Sequence, residues 1–254
     1  MINITSRTND SVKYLCRLAE DASLRRSRGL CIIEGAKLCF DLRGRVVFKQ
    51  LWVTDAAYAA SKTKIDGFAS SDNCDVILTN DNVYEKISYF RSGDGILGVA
   101  EIPKHDLPEK GEPLAVLCDI QDPGNVGGLI RSAAALGFGG AVLCGSCADP
   151  FSPRAVRGSM GSSMLFPCIH ADDPAFLCEK GYSLVATALD PDAVSVKDIP
   201  KDRPVALLIG NEGHGLTENL LSMADVTVYI PITSDAESLN AAAAAAIAMW
   251  EVVR

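Results

Sequence analysis

Apolar residues in the C-terminal half recur as short unbroken runs: LAVLCD, GAVLCG, MLFPCIH, YSLVATAL, PVALLIG and VTVYIPI. Runs of this length, bounded by Gly, Pro and polar residues, read as strands buried on both faces. Helical patterns lie between them, ending with SLNAAAAAAIAMWEVV. Strands alternating with helices predict a parallel sheet covered on both sides, the α/β class. The N-terminal half alternates as well. NDSVKYLCRLAE opens on a capping Asn or Asp and keeps a helical period, and VYEKISYF is a second helix candidate. GLCIIE, KQLWVTD, CDVILT and GILGVAEI read as short buried strands. Between the halves, EIPKHDLPEKGEP (residues 101–113) is rich in Pro and charge and reads as a linker. The expected organisation is a smaller α/β domain over residues 1–105 and a larger one over residues 106–254.

In parallel sheets ligands collect beyond the carboxyl ends of the strands. Three strand ends are rich in polar and turn residues. After LAVLCD runs a helix within DIQDPGNVGGLIRSAAALG, residues 119–137. On a helical wheel Val126, Leu129, Ile130, Ala133 and Leu136 form the core side, and Arg131 points away from it. An ordinary solvated face carries Glu, Lys and Gln, whereas here Gly127, Gly128, Ser132 and Ala135 surround Arg131. Small residues admit close approach by a ligand, a loop or another subunit. The plainer reading is an exposed Arg on a Gly-rich helix capped by Asn125. After PVALLIG, Gly210, Gly213 and Gly215 surround Glu212 and free the backbone to approach a ligand; the plainer reading is a surface turn. After VTVYIPI come Ser238 and Asn240 at a helix start, where Ser234-x-x-Glu237 also fits a capping box.

Composition narrows the class. Of 254 residues, 48% are hydrophobic and 22% charged, as in a globular protein. No apolar run approaches the roughly 20 residues needed to span a membrane, and MINITSRTND lacks a signal-peptide core, so a cytoplasmic protein is expected. The nine cysteines are scattered through apolar runs and read as reduced thiols. Cys144 and Cys147 have CxxC spacing without a second pair or a His cluster, so no metal is expected and two ordinary thiols are the favoured reading. The net charge of −8 is uneven. Residues 1–49 hold 10 Lys and Arg against 5 Asp and Glu, including Arg25, Arg26 and Arg28, while residues 106–254 hold 9 against 19. A basic N-terminal segment suits nucleic-acid phosphates; a solvated helix end is the equal alternative. Gly124, Gly127 and Gly128 lack the G-x-G-x-x-G spacing of a dinucleotide site, and no G-x-x-x-x-G-K-[ST] loop is present.

Three segments, GNVGGLIRSAAALG (124–137), LLIGNEGHGL (207–216) and IPITSDAESLNAAAAAA (230–246), together resemble the three motifs of the SpoU/TrmH family of RNA ribose methyltransferases, in the SPOUT superfamily. RSRGLCIIEGAKL (26–38) is similar to the substrate-binding N-terminal domain that many members carry; RSGDGILGV departs from the usual proline- and glutamine-containing turn. The resemblance implies a methyltransferase domain with a C-terminal trefoil knot, a homodimer, and S-adenosylmethionine cradled by backbone around Gly210, Ile230 and Leu239, with Thr187 and Leu189 lining the same pocket. It implies transfer of a methyl group to a ribose 2′-hydroxyl, in ribosomal RNA before transfer RNA. It places Asn125, Arg131, Glu212, Ser238 and Asn240 in the active site. Arg131 is assigned either as general base or, since a guanidinium keeps its proton, as a binder of phosphate and hydroxyl. The rival readings are a nicotinamide-dependent oxidoreductase, disfavoured by the glycine spacing, and a non-catalytic RNA-binding assembly factor on the same scaffold.

Overall fold

The computed structural model describes residues 2–71, 73–90, 93–108, 111–233 and 239–254. They cluster into two compact units, Met1–Pro103 with Phe151–Leu165, and Lys104–Pro150 with Phe166–Arg254. The segment Phe151–Leu165, which the sequence pattern leaves in the C-terminal half, clusters with the N-terminal unit.

The first unit runs β1 (Ile2–Ile4), α1 (Asp10–Glu20), α2 (Ala22–Arg28), β2 (Leu30–Glu34), α3 (Ala36–Leu42), β3 (Phe48–Thr54), α4 (Asp55–Ser71), β4 (Asp75–Thr79), α5 (Asp81–Ile87) and β5 (Ile96–Glu101). The sheet order is β1-β4-β3-β5-β2. Pairs β1/β4 and β3/β4 are parallel, while β5 runs antiparallel to both β2 and β3. Helix α1 starts where Asn9 accepts from the Ser11 N–H, as the sequence predicts. Its buried side, Val12, Leu15, Leu18 and Ala19, joins Ile32, Trp52, Ile77 and Leu97 in one core.

The second unit carries β6 (Leu114–Cys118), α6 (Pro123–Ala135) and β7 (Gly140–Cys144). After α7 (Pro153–Gly158), which belongs to the first unit, it continues with β8 (Cys168–Ala171), α8 (Phe176–Glu179), β9 (Ser183–Thr187), β10 (Val194–Ser195), β11 (Val205–Ile209), α9 (Glu218–Met223), β12 (Val226–Tyr229) and α10 (Ala241–Val253). All seven strands are parallel, in the order β10-β12-β9-β11-β6-β7-β8. The strand expected across MLFPCIH is shorter than predicted, because Pro167 brings no N–H to a ladder and the chain before it forms a 3₁₀ turn over Ser162–Met164.

Period-two alternation divides each apolar run between two cores. Leu114, Val116 and Cys118 face one side with Leu184, Ala186, Ala206 and Leu208. Ala115 and Leu117 face the other with Val185, Leu207, Val126, Leu129, Ile130, Ala133, Ala245, Ala248 and Met249. Each fully buried Leu or Ile stabilises the fold by about 1.5–3 kcal/mol. Helices α6 and α10 pack on each other over this second face. From β6 the sheet grows through β7 and β8 on one side and through β11, β9 and β12 on the other. The boundary between β6 and β11 is therefore a topological switch point, where α/β sheets bind ligands.

Candidate functional site

Helix α6 begins just beyond β6. Pro123 occupies its first turn, where a missing N–H costs nothing. Asp122, not Asn125, is its cap: the Asp122 carboxylate accepts the Asn125 N–H at 2.9 Å. This frees the Asn125 carboxamide, whose Nδ2 donates to Glu212 Oε1 at 2.6 Å. A carboxylate only accepts, so the bond fixes the amide orientation and turns Asn125 Oδ1 away from Glu212, an acceptor that no side chain or backbone group among the described residues takes. Asn125 and Glu212 are 87 residues apart in sequence, and they meet across the switch point.

Glu212 sits in a tightly folded loop. Asn211 and Gly215 exchange backbone hydrogen bonds, N–H to carbonyl at 3.1 and 2.9 Å, closing the turn immediately after β11. Gly210 is packed against that closure. A Cβ there would lie 2.5 Å from the Leu216 amide nitrogen and 2.7 Å from the Gly215 carbonyl oxygen, distances no side-chain carbon tolerates. Only glycine fits, and the reason is space, not a left-handed φ.

This loop forms one wall of a cavity of about 270 Å³, near the small end of ligand sites. Thr187 and Leu189 follow β9, Gly210 and Glu212 follow β11, and Ile230 and Ile232 follow β12. Leu239 and the small faces of Ala241, Ala244, Ala245 and Ala248 complete it. The alanine run of α10 thus serves two surfaces, since Ala245 and Ala248 also fill the core. The Thr187 hydroxyl donates to the Leu208 carbonyl at 2.9 Å, tying two of the walls together. Apolar side chains lie beside glycine backbone, an arrangement that suits a ligand with a flat apolar base and a polar tail. All five residues expected to cradle a cofactor, Thr187, Leu189, Gly210, Ile230 and Leu239, line this cavity.

The other expected residues are placed differently. Asn240 caps α10, its Oδ1 accepting from the Ala242 and Ala243 N–H groups at 3.0 and 3.3 Å, so its carbonyl oxygen is engaged by the helix start. Ser238, with the capping box from Ser234 to Glu237, lies outside the described residues. Arg131 is exposed on α6, as the wheel predicts, and Gly128, three residues before it, faces open space. Leu136 is partly buried against the core.

Arg25 corrects an expectation. It is only 2% exposed, and its Nη1 donates to the Leu18 and Ala19 carbonyls at 2.8 Å each. It satisfies orphan carbonyls at the end of α1, so its charge is not offered to RNA. Arg26 and Arg28 are exposed at the end of α2.

Sequence reasoning passed over Asn211. Its Nδ2 donates to the Asp119 carbonyl at 2.8 Å, and its Oδ1 accepts the Gly213 N–H at 2.8 Å. The available signal was an amide side chain directly after a buried strand and directly before Glu212.

Near β7, Cys118 and Cys144 are buried and Cys147 is half-buried. Cys147 donates to the Leu117 carbonyl at 3.1 Å and accepts the Ile120 N–H at 3.3 Å. Burial pushes its thiol up to about 11, and the neighbouring Cys144 together with burial pushes Cys118 up as well. Thiolate is the reactive form. In the folded protein at pH 8, alkylation read by mass spectrometry is therefore expected at exposed Cys178 well before Cys147, whose labelling rises only as pH approaches 11. Equal labelling of the two at pH 8 would contradict a structural role for Cys147.

A parallel sheet with a glycine-edged apolar cavity and a polar Asn–Glu pair at its switch point defines an α/β enzyme domain for a nucleotide-like ligand. The model of the SpoU rRNA Methylase family matches residues 113–250. A 23S rRNA (guanosine(2553)-2′-O)-methyltransferase of Bacillus subtilis is 29% identical over 99% of both chains. An uncharacterized tRNA/rRNA methyltransferase of Synechocystis is 30% identical, over 99% of this chain and 93% of its own. Among solved structures, an AdoMet-bound rRNA methyltransferase from Sinorhizobium meliloti superposes with a TM-score of 0.84 at 32% identity, covering 98% of this chain and 96% of that one. The chain belongs to the SpoU rRNA methylase family.

Proposed function

We propose that the protein transfers a methyl group from S-adenosylmethionine to a ribose 2′-hydroxyl of ribosomal RNA. The observation that carries this reading is the convergence of the cavity walls after β9, β11 and β12 with the Asn125–Glu212 pair at the head of α6. The cavity fits the cofactor in kind: apolar Val228, Ile230 and Leu239 for a purine, and a Gly210 backbone that no Cβ can screen. When bound there, S-adenosylmethionine supplies a methyl group on a positively charged sulfur, already a good leaving group.

The protein's own task is to present the hydroxyl. Glu212 holds Asn125 so that its Oδ1 faces outward to accept a hydrogen bond from the hydroxyl, whose proton passes to solvent as the methyl group arrives. Arg131 binds the adjoining phosphate with its fork of donors. Asn240 fixes the start of α10 and thereby the Leu239 wall, and the family pattern assigns Ser238, two residues before it in sequence, to the same site. Fixing the hydroxyl in line with the methyl is chiefly a positioning effect. Titration with S-adenosylmethionine and with NAD, followed by methyl transfer to total RNA, tests the reading. The expected result is binding of the former and label in RNA; binding of NAD instead would support the oxidoreductase alternative.

The N-terminal unit is the RNA-binding part and the second unit the catalytic one, working in the cytoplasm. The second unit is acidic, so phosphate attraction falls to basic residues such as Arg26 and Arg28. The variant R26E/R28E is expected to weaken RNA binding about tenfold in 0.1 M salt and to reduce the log–log salt slope by about 2, with S-adenosylmethionine affinity unchanged. Filter binding across a salt series measures this; an unaltered slope removes these two arginines from the interface.

The protein acts as a homodimer, and its C-terminal chain threads a trefoil knot, as the family pattern implies. Supporting the dimer, Ile247, Trp250 and Val253 recur every three residues on α10 and remain 40%, 54% and 38% exposed, a stripe more apolar than one helix face leaves in water. Trp250→Glu is expected to convert the dimer to a monomer in sedimentation analysis. A wild-type monomer at micromolar concentration would refute the assignment.

A further inference from the structure

Residues 119–125, between β6 and the first turn of α6, are gripped at both ends by two consecutive residues of the loop after β11. Glu212 accepts from Asn125 at 2.6 Å. Asn211 donates to the Asp119 carbonyl at 2.8 Å. Asp119 is itself firmly anchored. Its N–H donates to the Cys144 carbonyl at 3.1 Å. Its Oδ1 accepts the Ser146 N–H at 2.7 Å. Its φ of +56° is a left-handed conformation that, among non-glycine residues, Asn and Asp adopt most readily. The carbonyl that Asn211 reaches is thus fixed by the neighbouring strand β7. On its other side, Asn211 Oδ1 takes the Gly213 N–H at 2.8 Å, so the single amide spans from the Asp119 anchor into the Glu212 loop. A carbonyl on one side and an N–H on the other leave the amide only one satisfying orientation.

We infer that Asn211 is a positioning residue for methyl transfer: its side chain ties the Glu212 loop to the Asp119 carbonyl, and so sets the carboxylate that orients Asn125. Glu212 is exposed and sits in a turn closed only on itself, by the backbone bonds between Asn211 and Gly215. The tie fixes that closed turn to a rigid strand end. The kinetic part of this inference rests on the ribose-methyltransferase reading; the geometric part does not.

Two variants isolate the tie. N211S keeps an oxygen for the Gly213 N–H and is too short to reach Asp119. N211D keeps the size and turns an acceptor toward the Asp119 carbonyl. In the full-length protein each is expected to lower kcat about tenfold or more, with KM for RNA and the thermal midpoint little changed, since an interaction acting only in the transition state moves kcat and kcat/KM together. In a cycle with E212Q, the double variant N211S/E212Q is expected to be within about twofold of E212Q alone, because residues acting through one another do not add. Losses that multiply would overturn action through Glu212, and wild-type kcat in N211D would overturn the tie itself. A second readout needs no RNA. In ¹H–¹⁵N spectra the Asn125 side-chain amide is expected to shift in N211S and its Asn211 counterpart in the wild type to exchange slowly. An unmoved Asn125 amide sinks the inference even if the protein methylates no RNA, whereas a moved amide in an inactive wild type sinks only the functional reading.

Discussion

Gly210→Ala is expected to weaken S-adenosylmethionine binding by about 100-fold or more, roughly 2.8 kcal/mol. The added methyl group has no free volume: it meets the Leu216 nitrogen at 2.5 Å and the Gly215 oxygen at 2.7 Å. These are backbone atoms of a closed turn, not the ends of flexible side chains. The turn must open, breaking the Asn211–Gly215 bridge and moving the cavity wall that contacts the ligand. Calorimetry measures the loss, and a thermal melt shows whether the core, which Ile209 and Leu216 on either side of this turn join, is retained. Affinity within threefold of wild type would mean that this loop does not hold the cofactor.

Glu212→Gln is expected to lower kcat about 10- to 100-fold with cofactor affinity nearly unchanged. A hydrogen bond to a charged group contributes about 1.5–3 kcal/mol, and each 1.36 kcal/mol is a factor of ten in rate. Glutamine presents both a donor and an acceptor, so Asn125 is no longer compelled to face Glu212 with Nδ2, and its acceptor oxygen is lost to the hydroxyl part of the time. Arg131→Lys is expected to cost a comparable factor through KM for RNA, because lysine keeps the charge and loses the bidentate fork. Initial rates against RNA concentration separate the two effects. Full activity in both variants would move the chemistry elsewhere.

The sheet of the second unit was legible because its strands are unbroken apolar runs, and the site because its motifs occupy the ends of those strands. Packing hid the rest. Arg25 sits in the basic string LRRSR and looks like a surface charge; only the position of the α1 carbonyls, six and seven residues back, shows it buried. Asn125 looks like a cap, yet Asp122 takes that role and releases it to Glu212. Helix α4 escaped notice because DAAYAASKTKIDGFASS mixes Ala, Ser and Gly without a sharp apolar stripe. Asn211 escaped because its partner lies 92 residues away, and an Asn in a turn has an ordinary local explanation. Long-range pairing, unlike periodicity, leaves no local trace.

The most direct measurement is to incubate the protein with methyl-labelled S-adenosylmethionine and protein-free ribosomal RNA, then hydrolyse the RNA in alkali. Alkaline cleavage needs a free 2′-hydroxyl, so a 2′-O-methyl group protects its own phosphodiester. The account predicts label recovered in alkali-resistant dinucleotides, absent with Gly210→Ala. Label confined to mononucleotides, which marks methylation of a base, would contradict it.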